Sequence, residues 1–152
     1  MRKVVFCLIV TAFSLMMFTQ GTAAQRASVS VAEVTGTFQH KFGARYKNSA
    51  SEIKIASIGK GRLRVVMHLL YPYIVKGDLM ANLGELDAEA TITGDRAFVM
   101  SPEMQRCTIE IVFVRPGTIK VTQTGDDSDC GFGHNVTATG TYTRTSSRKP
   151  NF

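Results

Sequence analysis

CTIEIVFVRPGTIKVTQTGDDSDCGFGHNVTATGTYT, from Cys107 to Thr143, is the stretch on which the reading of this chain turns. Ile109, Ile111 and Phe113 alternate with Thr108, Glu110 and Val112, and after Pro116-Gly117 the alternation resumes at Ile119 and Val121. A period of two is strand periodicity, because successive side chains point to opposite faces. Burial then chooses the register. A two-residue Pro116-Gly117 loop would pair Val114 with Ile119. A three-residue Arg115-Pro116-Gly117 loop sets Ile109, Ile111 and Phe113 on one face with Ile119 and Val121. The second choice buries the larger apolar set and leaves Thr108, Glu110 and Lys120 outside. A one-residue slip would reverse every side chain, so only one register can hold. The favoured one puts Cys107 across from Gly125, where the acidic loop Asp126 to Asp129 can return Cys130 to it.

The rest of the chain gives the address. Its 152 residues begin with Arg2 and Lys3, an apolar run from Val4 to Met17, and small residues up to Ala24. That order predicts an export signal over 1–24, with cleavage after Ala24, and sets Cys7 outside the fold. Gln25 to Phe152 is then one domain with one modest core. Export and a single remaining cysteine pair fit an oxidising compartment, periplasmic or secreted, and a Cys107–Cys130 disulfide. Closing a loop of that length adds roughly 3 kcal/mol on the chain-entropy model. The formal charge of +6 falls to +4 when Arg2 and Lys3 leave with the signal. A mild, dispersed excess is a solubility feature and not a nucleic-acid footprint. No segment after the signal has the length of a membrane-crossing helix.

Ahead of the deciding stretch the same periodicity recurs. Glu33 to His40 reads as a first strand after a fraying segment from Gln25 to Ala32, and Lys41 to Ala50 as a loop. Ile53 and Ile55, then Leu63, Val65, Met67 and Leu69, flank the turn Ile58-Gly59-Lys60-Gly61, whose glycines supply the positive φ of a tight hairpin. Leu70 to Asn82 (LYPYIVKGDLMAN) breaks clean alternation and reads as an aromatic, apolar loop. Leu86, Ala88, Ala90 and Ile92 alternate with Glu85, Asp87, Glu89 and Thr91, followed by a Gly94-Asp95 turn and a return strand Arg96 to Met100. The last strand is predicted over Asn135 to Arg144, and Ser146 to Phe152 is predicted as a disordered tail. Gly36-Thr37-Phe38 and Gly140-Thr141-Tyr142 echo each other, as two neighbouring strands with glycine at a crowded seam would. No amphipathic helix is apparent. The fold predicted is all-β: a single small antiparallel up-and-down barrel of about eight strands over 25–145 with one disulfide, a β-sandwich being the alternative.

Charge on the outside follows from the same alternation. Arg62 and Arg64 project from one strand and Glu85, Asp87 and Glu89 from its neighbour, so basic and acidic rows should pair across the strands.

Chemistry-bearing patterns are sparse. Asp126, Asp127 and Asp129 lie beside Gly131 and Gly133 but lack EF-hand spacing, which favours a solvated acidic turn over a calcium site. His40, His68 and His134 show no metal-ligand spacing. Ser57 lacks the GxSxG context of a hydrolase nucleophile. The sequence therefore indicates no catalytic residue, no metal, no cofactor and a non-enzymatic role. Tyr71, Tyr73 and Ile74 are candidate anchors for a protein partner, and Phe132 and His134 of the disulfide-held loop are a second candidate contact. Oligomeric state is not encoded in any recognisable motif.

In plan, the chain resembles small exported eight-stranded barrels of bacteria, a group that includes periplasmic lysozyme inhibitors and metalloprotease inhibitors. The runs PGTIKVTQTG (Pro116 to Gly125) and DCGFGHNV (Asp129 to Val136) also resemble a family of small secreted bacterial proteins without an assigned activity. The first resemblance implies a binding protein that inhibits a hydrolase. The alternative expectation is a lipocalin-like carrier of a small apolar ligand, and barrel width separates the two: an interior packed with side chains leaves no room for cargo.

Overall fold

The computed structural model describes residues 28–101, 104 and 106–152, so the predicted signal over 1–24 lies outside the described residues. Eight strands follow one another: β1 (Gly36–Lys41), β2 (Ala50–Gly59), β3 (Arg62–Val75), β4 (Asp78–Thr93), β5 (Arg96–Met100), β6 (Thr108–Arg115), β7 (Thr118–Thr124) and β8 (Gly140–Ser146). Each pairs antiparallel with the next, and β8 returns to β1, giving a closed up-and-down barrel. Closure leaves no sandwich and removes most of the edge that would template aggregation.

The core is built by the alternation. Phe38, Ile53, Ile55, Leu63, Val65, Met67, Leu69, Ile109, Ile111, Phe113, Ile119, Val121 and Tyr142 point inward and are buried. Burying each large aliphatic or aromatic side chain contributes about 1.5–3 kcal/mol. Tyr142 keeps its hydroxyl satisfied by donating to the Ala138 carbonyl at 3.0 Å, and burial pushes its pKa up.

The β6–β7 hairpin carries the expected register, with Ile111 opposite Val121 and Phe113 opposite Ile119. The chain reaches it by a compromise. Arg115 pairs with Thr118 around a two-residue Pro116-Gly117 turn, and an irregularity between Phe113 and Arg115 supplies the extra residue. Thr108 faces Thr124, so Cys107 and Gly125 meet at the open end. A Cβ on Gly125 would lie 2.6 Å from the Arg106 carbonyl oxygen. The disulfide Cys107–Cys130 forms there, with Cα atoms 5.0 Å apart.

The glycine echo marks the closing seam. Phe38 pairs with Arg144, and a Cβ on Gly36, at φ +149°, would come within 2.4 Å of the Ser146 carbonyl oxygen.

Four expectations need correction. The first strand begins at Gly36, because Ser30 and Glu33 form a reciprocal capping box that winds Val31–Val34 into one helical turn, α1. Arg144 ties that turn to the barrel end, donating to the carbonyls of Ala32 and Glu33 while its guanidinium sits 5.2 Å from the Phe38 ring centre. A short 3-10 turn, Ala44–Tyr46, interrupts the predicted loop after β1. The last strand is shorter at its start than predicted: Gln123 takes the place of a strand partner for residues 137–139, accepting from the Ala138 N–H on its side-chain oxygen and donating its backbone N–H to the Thr139 hydroxyl oxygen. Most consequentially, Leu70 to Asn82 is not a loop. β3 and β4 continue through it as a paired ladder to Val75 and Asp78. Proline is tolerated at position 72 because β2 pairs with β3 only as far as His68, so no β2–β3 ladder bond is lost.

On the exterior the predicted charge rows meet. Arg62 bonds Glu89 at 2.9 Å, and Arg64 grips Asp87 with two bonds at 3.0 and 2.7 Å. His68 lies 3.6 Å from Glu85. The Arg64 hydrogen bonds hold Asp87 below the usual carboxylate range. Apolar interior and ion-paired exterior are the reverse of the lipid-facing pattern of a membrane barrel. Among the described residues no helix is long and apolar enough to cross a membrane. After β8 the chain carries Phe152 to β3, where its ring lies 4.4 Å from the Arg64 guanidinium.

Candidate functional site

β3 and β4, at 14 and 16 residues, outrun every other strand. Their excess forms a two-stranded arm from Leu70 to Leu83. Lys76-Gly77 turns its tip, with both residues at positive φ (51° and 97°), the geometry of a tight two-residue hairpin. The arm is apolar on both faces. Tyr71, Tyr73, Val75 and Met80 continue the inward-facing rows beyond the core, and the Tyr71 and Tyr73 ring centres are 6.4 Å apart. Ile74, Leu79, Ala81 and Leu83 continue the outward-facing rows. Leu83 is 58% exposed, Leu79 51% and Met80 49%. Side chains of this kind in water mark a contact surface when they are contiguous.

A two-stranded ribbon without a third strand is marginal in water. Here the disulfide-tied loop braces its root. The Gly133 N–H donates to the Leu83 carbonyl at 2.9 Å, and the Asn82 side-chain amide donates to the His134 carbonyl at 2.7 Å. Phe132 and Val136 fill the space over Gly84, where a Cβ would stand 2.8–2.9 Å from both side chains. Gly133 is equally constrained, since a Cβ would be 2.6 Å from the Leu83 oxygen.

The carboxylates of the loop shape it. Asp126 accepts from the Asp129 N–H and the Ser128 hydroxyl, both at 2.8 Å, which holds its pKa below the usual range. Asp127 accepts from the backbone N–H groups of Ser128 and Asn135. Asp129 accepts from Arg106 at 3.0 Å. These are the self-bonded turns that Asp favours in loops.

The structure brings the two predicted surfaces together. Tyr71, Tyr73 and Ile74 stand on the arm, and His134 is exposed on the loop beside its root, 3.6 Å from Asp127. Phe132 is turned inward at 7% exposure, so its ring serves as brace and not as contact. Sequence reasoning misses Leu79, Met80 and Leu83 as exposed partners of Tyr71 and Ile74. The signal was present in Lys76-Gly77 between the apolar segments ending at Val75 and starting at Leu79, a hairpin signature hidden by Pro72.

The three histidines are dispersed: His40 contacts the Thr141 carbonyl at 2.9 Å, His68 meets Glu85, and His134 meets Asp127. Among the described residues no three metal-ligating side chains converge. One cleft of about 610 Å³ runs along the seam of Gln39, Lys41, Thr141 and Thr143. Compared with known proteins, the chain matches no family model, no curated protein and no solved structure.

Proposed function

We propose that this is a non-enzymatic periplasmic or secreted binding protein that inhibits a hydrolase such as a lysozyme or a protease. The observation that carries the reading is the braced, two-sided apolar arm. A rigid protrusion that is apolar on both faces suits a cleft, because both walls of a cleft can then desolvate it. Pre-ordering by the loop and disulfide reduces the entropy lost on binding. The plan-level likeness to exported inhibitor barrels agrees with this. The carrier reading ranks second, since inward positions of the barrel are occupied by large buried side chains such as Phe38, Met67 and Tyr142. The disulfide suits the oxidising compartment that an exported protein meets.

The test is inhibition of purified lysozymes and proteases by the disulfide-bonded protein, with Tyr71→Ala/Tyr73→Ala as the comparison. Saturable inhibition that the double variant weakens at least about tenfold, as loss of aromatic anchors does, supports the proposal. Inhibition that survives the double substitution unchanged removes the arm as the contact. Absence of inhibition across the panel, with binding of fatty acid instead, transfers the reading to the carrier.

A further inference from the structure

Along β4 the backbone groups turn to alternate sides of the strand. The Ile92 N–H reaches the Gly61 carbonyl on the β3 side at 2.9 Å, and the β3–β4 register runs unbroken from Thr91 to Asp78. Met80 and Asn82 therefore turn their backbone groups toward β3, while Leu79, Ala81 and Leu83 turn theirs to the opposite edge. The Gly133 bond to the Leu83 carbonyl, made from that edge, agrees with this parity. Among the described residues no backbone bond reaches Leu79 or Ala81 from the same side.

The two edges of the arm differ. On β3 the edge is closed: the Leu70 N–H donates to the Ser51 hydroxyl at 3.0 Å, and Pro72, which pairs with Ala81, has no N–H. On β4 the run Asp78 to Asn82 holds no proline, glycine or lysine to repel a further strand, and its one charge, Asp78, stands at the end by the turn. Asp78, Leu79, Met80 and Ala81 are all exposed. We propose that this edge pairs with itself: the β4 edges of two copies lie antiparallel about a twofold axis at Met80 and join their arms into one continuous sheet.

Hydrogen bonding chooses that axis, because edge-facing residues must meet edge-facing residues. Centred on Ala81, the pairing would need the Leu83 carbonyl that Gly133 already holds. Centred on Leu79, it would set Ala81 against Gly77, inside the turn at φ +97°. Centred on Met80, Leu79 meets Ala81 of the partner subunit and Ala81 meets Leu79 in return, each pair exchanging both N–H···O bonds. The side chains then match. Leu79, large, stands opposite the small Ala81, and Asp78 opposite the amide of Asn82. The two Met80 side chains face each other in a non-hydrogen-bonded pair, where side chains lie closest. The same register brings the Lys76 turn alongside Glu85 of the partner subunit, a side chain that is 74% exposed. Opposite charges thus meet at both ends, as a self-complementary twofold contact requires.

The paired segment is short, so the contact buries less than about 1,200 Å² and its affinity is on the order of micromolar or weaker. It engages the edge of β4 and leaves Tyr71 and Tyr73, on β3, outside it. The dimer therefore stands independently of the proposed hydrolase contact.

Sedimentation velocity of the disulfide-bonded protein from about 1 to about 500 μM covers that affinity. The wild type is expected to pass from monomer to dimer over this range. Ala81→Pro sets a second proline across from Pro72 and removes one edge donor from each copy while leaving the β3–β4 bonds in place. It should weaken association at least about tenfold. Met80→Arg and Met80→Glu should each weaken it by at least about tenfold alone, through like charges at the axis, and an equimolar mixture of the two should associate again. That mixture decides the matter where Ala81→Pro lowers the melting temperature. A wild type that stays monomeric throughout overturns the inference and leaves the edge to an unlike strand. Association unchanged in Ala81→Pro overturns it too, as does a mixture of Met80→Arg and Met80→Glu that fails to associate.

Discussion

One ladder, two surroundings: from Arg62 to Leu69, β3 and β4 run over a filled core, and from Leu70 to Leu83 the same two strands run past its end, with Pro72 still buried but Leu79, Met80 and Leu83 in water. Pairing is continuous through both halves, and register never changes. What changes is the source of support. In the barrel half, Leu63, Val65, Met67 and Leu69 are buried on one face while Arg62–Glu89 and Arg64–Asp87 occupy the other. In the arm, apolar side chains fill both faces, and support comes from the side through Gly133, Phe132 and Val136. Backbone hydrogen bonds alone therefore do not distinguish a stable part of a sheet from a deployed one. Burial does.

The contrast is most exposed to failure at methionine. Met67→Ala should lower stability by about 2–5 kcal/mol, because it empties a fully buried site, while Met80→Ala should stay within about 0.5 kcal/mol. Urea denaturation of both variants decides it, and equal losses would mean the arm has a core of its own. Next is the brace. Cys107→Ser/Cys130→Ser should cost roughly 3 kcal/mol. In amide exchange the arm residues should lose more protection than Val65 or Ile111, and uniform loss would remove the loop's special link to the arm. Gly84→Ala should cost about 1–3 kcal/mol through overpacking against Phe132 and Val136, whereas Gly43→Ala, with open space around it, should be close to neutral.

Acid gives the smallest effect. Asp87 is held down by the Arg64 hydrogen bonds and Asp126 by the Asp129 N–H and Ser128 hydroxyl. A carboxylate depressed in the folded state stabilises above its unfolded pKa, and the gain is lost as pH falls through the folded value. Both contributions are complete at neutral pH and fade below about pH 4. The melting temperature should decline there, less steeply in Asp87→Asn and Asp126→Asn. Identical slopes in wild type and variants would show that neither carboxylate is linked to folding.

Much of the barrel half was legible before any coordinates. Ile53, Ile55 and the run Leu63 to Leu69 alternate cleanly, and one sequence argument about burial chose the β6–β7 register and set Cys107 against Gly125. The charge rows followed from the same period. Legibility failed where local and long-range terms disagree. Pro72 and the aromatic run hid a strand, since proline is excluded only from a strand with neighbours on both sides. Phe132 looked like a surface aromatic because nothing local reveals that Gly84, far away in the chain, lacks a side chain beneath it. The Ser30/Glu33 capping box straddles the segment read as fraying and the residue read as the start of the first strand.

By itself, then, the sequence determined which side chains must share an interior, because a period of two leaves each strand one apolar face and burial tolerates no slip. It also determined that Cys107 and Cys130 could reach one another. Only the tertiary structure decided that β3 and β4 run past the barrel's end, that the disulfide loop lies against their root, and that Leu79, Met80 and Leu83 meet water. Those outcomes depend on where neighbouring strands stop, and strand ends are set by contacts between distant segments that no local pattern records.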